Sequence, residues 1–90
     1  MSLRISHDAV DLLALSAANY LKDGEGVSIE ARTDESQALL QHCFMVRKPL
    51  PGDIVYRFEA VDIIVDPESH DLLTGAVLEV EEGEIVLMKY

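Results

Sequence analysis

Within its first 32 residues the chain changes its hydrophobic period from helical to alternating, and glycine and proline then cut the rest into short runs. From Ser6 to Leu21, the apolar residues Val10, Leu13, Ala17 and Leu21 recur at helical spacing, and Leu12, Ala14 and Leu15 widen the stripe. Ser6 is placed to cap this helix, and Asp8 lies in the first turn, where the helix dipole favours negative charge. Gly24 or Gly26 follows as a C-terminal stop. Val27, Ile29 and Ala31 then alternate with Ser28, Glu30 and Arg32, the pattern of a half-buried strand. Leu3-Arg4-Ile5 before the cap reads as a short edge strand.

Ala38 to Val46 is apolar and fits helix or strand, with a strand favoured at its end over Phe44-Met45-Val46 before Arg47-Lys48-Pro49. Ile54 to Phe58 and Val61 to Val65 are rich in β-branched and aromatic residues and read as strands. Asp66 caps a short helical turn with Pro67 at its first position, closed by Leu72-Leu73 and ended by Gly75. Val77–Val80 and Glu84–Met88 form a hairpin around Glu81-Glu82-Gly83. One domain over 1–90 is expected, of α+β class: one N-terminal helix and a mainly antiparallel, barrel-like set of short strands.

Composition narrows the function. Seventeen acidic residues against seven basic ones give a net charge of −10. Binding to nucleic acid or an anionic membrane is not expected, because both need a basic surface. A protein partner with a basic surface fits this charge. The lone Cys43 excludes an intramolecular disulfide and a metal site built from several thiolates of one chain. The apolar runs are far shorter than the roughly 20 residues that cross a bilayer. No charged-then-apolar N-terminal segment is present, so a cytoplasmic location is expected.

The second half resembles the A-type iron–sulfur carrier, or HesB-like, family. The resemblance rests on Pro49–Tyr56, on Val61–Ser69 with its Asp-x-x-Ser turn, and on Leu72-Leu73-Thr74-Gly75 leading into Leu78-Glu79-Val80. Ile5-Ser6-His7-Asp8-Ala9 is similar to the family's opening. The resemblance implies a HesB-like fold. It also implies a cluster site made by three cysteines, one in a Gly-Cys-Ser-Gly-like loop and two in a C-terminal Cys-Gly-Cys-like pair. Counting back from Asp53, the loop cysteine corresponds to Ser36, and the glycines to Glu35 and Ala38. The C-terminal pair has no counterpart before Tyr90. The expectation is a non-enzymatic family member without the cluster ligands and with no cofactor. It would have an accessory or protein-interaction role near iron–sulfur assembly or sulfur metabolism. The alternative is an iron or iron–sulfur cluster binder using Cys43, with His42 or carboxylates, from two subunits of a homodimer.

Cys43 reads as a plain core or interface residue, because cysteine is among the most buried types and His42 beside it points to the opposite face of a strand. His70 with Asp66 or Asp71 is a weak metal pair, and His7 a solvated first-turn residue. Ser36 beside Asp34 and Glu35 lacks a nucleophile elbow and a placed histidine, so a solvated turn is expected there. Ser69 and Asp66 read as turn and cap residues. Glu79, Glu81, Glu82 and Glu84 make a solvated acidic hairpin or a face for a basic partner. Arg47, Lys48 and Arg57 make a partner patch or local charge balance.

Overall fold

The computed structural model describes residues 3–33 and 40–89. The chain runs β1 (Arg4–Ile5), α1 (His7–Ala17), β2 (Gly26–Thr33), β3 (Leu40–Arg47), β4 (Ile54–Arg57), β5 (Asp62–Val65), α2 (Pro67–Leu72), β6 (Ala76–Glu81) and β7 (Glu84–Lys89). The strands form two sheets, β1-β6-β7 and β3-β2-β5-β4. The α+β class holds, but the strands do not close into a barrel. The pairing is also more mixed than expected, since β1 runs parallel to β6 and β2 parallel to β5. The cause is the connection between β3 and β4. These strands lie at opposite edges of their sheet, so the chain crosses β2 and β5 between them, and β5 returns running the same way as β2.

Both expected caps are made. The Ser6 hydroxyl accepts from the Ala9 N–H, and the Ser6 N–H donates to Leu78 O, tying the start of α1 to β6. The Asp66 carboxylate accepts from the Ser69 N–H, with Pro67 in the first turn of α2. Helix α1 ends earlier than the glycines suggest. The Ala18 and Tyr20 N–H groups reach back only three residues, to Leu15 O and Ala17 O, so the last turn tightens out of α-geometry.

One buried cluster joins both sheets. It includes Ala9, Val10, Leu13 and Ala17 of α1, alternate residues of β2 and β5, and Leu73, Ala76 and Leu78. Leu73 is fully buried, as the Leu72-Leu73 step predicts. Leu15 is not part of the stripe; it is 76% exposed.

Strand β2 is more buried than simple alternation implies. Ser28 is fully covered, as is Ile64 opposite it on β5, and both lie on the sheet face away from Val27 and Ile63. Arg47 lies on that same face by alternation from its neighbour Met45, which is paired with Ser28. Its guanidinium holds the Asp53 carboxylate at 2.7 Å and the Lys48 carbonyl at 3.1 Å. The two ends of the 48–53 connection are thereby pinned together. At the start of β2 the backbones approach closely. A Cβ added to Gly26 would lie 2.5 Å from Asp62 O, so only glycine fits there.

Candidate functional site

The residues singled out in the sequence do not converge. Ser36, with Asp34, Glu35 and Ala38, lies outside the described residues. Cys43 is exposed, which corrects the core half of the core-or-interface expectation. The reason is its place on β3, an edge strand, on the sheet face opposite Phe44 and the core, in register with Glu30. His42 is paired in register with Ala31. Among the described residues, no three His, Cys, Asp or Glu side chains are grouped so as to hold a metal ion.

The Asp66–Gly75 turn uses its polar groups locally. Strand β5 ends at Val65, and beyond it the Ser69 hydroxyl takes over as the partner of β2. It accepts from the Ala31 N–H at 3.0 Å and from the Arg32 guanidinium at 3.3 Å, and lies 3.5 Å from Ala31 O. This accounts for a fully buried serine in an otherwise apolar core. Burial pushes the Asp66 carboxyl up, but bonds from Ser69 and the nearby Arg32 charge outweigh it, and the net displacement is downward. His70 does not turn towards Asp66. Its Nε2 lies 2.6 Å from the Tyr56 hydroxyl, with the rings partly stacked. The expected basic patch is local charge balance in two of its three members: Arg47 pairs with Asp53, and Arg57 with Asp62 across the β4–β5 ladder.

The feature that can bind something lies elsewhere. An open cleft of about 520 Å³ runs between α1, the end of β3 and the β6–β7 hairpin. Leu12 and Ser16 of α1, with Tyr20 in the turn just beyond its end, line one side, beside the buried pair Leu13 and Ala17. Phe44, Val46 and Ile85 also line it. Ser16 is small and exposed, and Tyr20 is 70% exposed. Among the lining residues only Glu84 is charged.

Glu84 belongs to the tip of the hairpin. Glu81 and Glu84 are directly paired, with Glu82 and Gly83 as the two-residue loop. Both loop residues have positive φ, 52° and 80°, the pattern of a type I′ turn. All three glutamates are exposed, and among the described residues no cation pairs with them. These acids are legible in the sequence; the cleft beside them is not.

The chain matches no protein-family model and no curated protein. No helix among the described residues is long and apolar enough to cross a membrane.

Proposed function

We propose that the chain is a non-enzymatic, cytoplasmic, HesB-like protein that works by binding a protein with a basic surface. Its role is accessory to iron–sulfur cluster assembly or sulfur metabolism, and it carries no cofactor. The observation that supports the binding role is the open, largely apolar cleft, bordered by exposed carboxylates at the hairpin tip. Exposed apolar surface with a polar rim is the usual anatomy of a protein-binding site. The metabolic setting rests on the resemblance over Pro49–Val80; counted back from Asp53, Ser36 stands at the first cluster-ligand position. The test is affinity capture from native cytoplasm, identification of the partner and titration with purified components. Affinity should fall as salt rises from about 0.05 to 0.5 M, because screening shortens the reach of the protein's field. Salt-insensitive binding to an acidic surface would contradict the proposal.

The exposure of Cys43 favours one second reading, in which two subunits each offer this thiol to iron or a cluster. Two thiolates are half the usual complement of an iron–sulfur cluster. Anaerobic reconstitution with iron and sulfide is therefore expected to leave no stoichiometric iron after desalting. Iron and acid-labile sulfide retained by the wild type and lost in Cys43→Ala would promote the second reading.

A further inference from the structure

We infer that the cleft between α1, β3 and the β6–β7 hairpin takes a basic amphipathic segment of the partner protein. Apolar side chains of that segment enter between Leu12, Tyr20, Phe44 and Ile85, and a Lys or Arg reaches Glu81, Glu82 and Glu84. The inference rests on the interaction reading above and adds the site and the partner's chemistry to it.

Charge complementarity decides the occupant. The cleft is apolar except for Glu84, and the hairpin tip beside it carries two further exposed carboxylates. The tip is poorly chosen for stability. Like charges at directly opposed strand positions, such as Glu81 and Glu84, repel. Glu82 holds a left-handed conformation that glycine or asparagine adopts at lower cost. A cation bound at the tip offsets the repulsion that the hairpin carries alone. A second copy of this chain is a poor occupant, since each copy has a net charge of −10 and the same acidic tip. A purely apolar small molecule would make no use of the carboxylates. An amphipathic segment with apolar anchors and a basic flank uses both halves of the surface, as in groove recognition of helices.

The test is a titration of the isotope-labelled full chain with an amphipathic helical peptide of leucine and lysine, followed by amide chemical shifts. The control peptide carries glutamate in place of lysine. Shifts are expected at Leu12, Ser16, Tyr20, Val46 and Glu84. Affinity should fall at least about tenfold in Ser16→Arg, which fills the cleft, and in the triple variant Glu81→Gln/Glu82→Gln/Glu84→Gln. The triple variant should melt no lower than wild type, so lost binding is not lost folding. Shifts spread over Asp8, Asp11 and other acidic positions, equal binding of the glutamate peptide, or undiminished binding by the triple variant would overturn the inference. A physiological partner that binds Ser16→Arg as well as wild type would overturn the cleft assignment alone. Failure to capture any basic-surfaced partner would overturn the interaction reading beneath it.

Discussion

The Asp66–Gly75 connection, built around α2, and the Glu81–Glu84 hairpin tip use their residues in opposite ways. In the first, Asp66 caps α2, Ser69 replaces a missing strand partner, and the Thr74 hydroxyl donates to His70 O. Leu73 is fully buried, and Gly75 takes a left-handed position at φ 80°. In the second, a glutamate holds a left-handed position and two more face each other across the ladder. The first turn satisfies local preference and global packing together. The second forgoes local stabilisation beside an open apolar cleft, and such departures gather where a protein binds something.

Variants can break or sharpen this contrast. The largest effect is expected from Leu73→Ala, at ~2–5 kcal/mol in denaturant unfolding, the range for a buried leucine. Tyr20→Ser, at the exposed end of the cleft, should stay within roughly 0.5 kcal/mol of wild type. Equal costs at the two sites would erase the contrast. Ser69→Ala comes next, at ~1–3 kcal/mol, because it leaves the buried Ala31 N–H without its acceptor.

A pH effect belongs to the pinned 48–53 connection. Bonds from the Arg47 guanidinium and the Leu50 N–H hold the Asp53 carboxyl below the usual carboxylate range. Its folded value therefore lies under its unfolded value of about 3.9. The stabilisation is complete above that unfolded value and is lost as pH falls through the folded one. Acid titration of stability should show this loss in wild type and a flatter limb below about pH 4 in Asp53→Asn. Parallel limbs would mean that Asp53 does not pin the connection. A small gain is expected at the tip, where Glu82→Asn should raise stability by at most about 1 kcal/mol. A loss there would remove the argument that the tip is under-stabilised.

Much of the fold was legible because its signals are local. Ser6 and Asp66 announce their helices by capping chemistry, Leu73 its burial by position, and the hairpin its strands by the Glu82-Gly83 break. What was not legible depends on contacts distant in sequence. The full burial of Ser28 departs from simple alternation along β2, and the exposure of Cys43 follows from the rank of β3 as an edge strand. The cleft was hidden for the same reason: Tyr20, Phe44 and Ile85 come from three elements, and no spacing rule links them. Only its acidic border showed in the sequence, as a run of glutamates with no stated neighbour.

The central claim is that this protein works through its cleft and not through Cys43. Calorimetric titration of the identified partner into wild type, Cys43→Ala and the pair Ser16→Arg/Tyr20→Ser tests it most directly. The account predicts that Cys43→Ala binds like wild type, while the cleft variant keeps its thermal midpoint and loses at least about tenfold in affinity. Binding lost in Cys43→Ala and preserved in the cleft variant would contradict it.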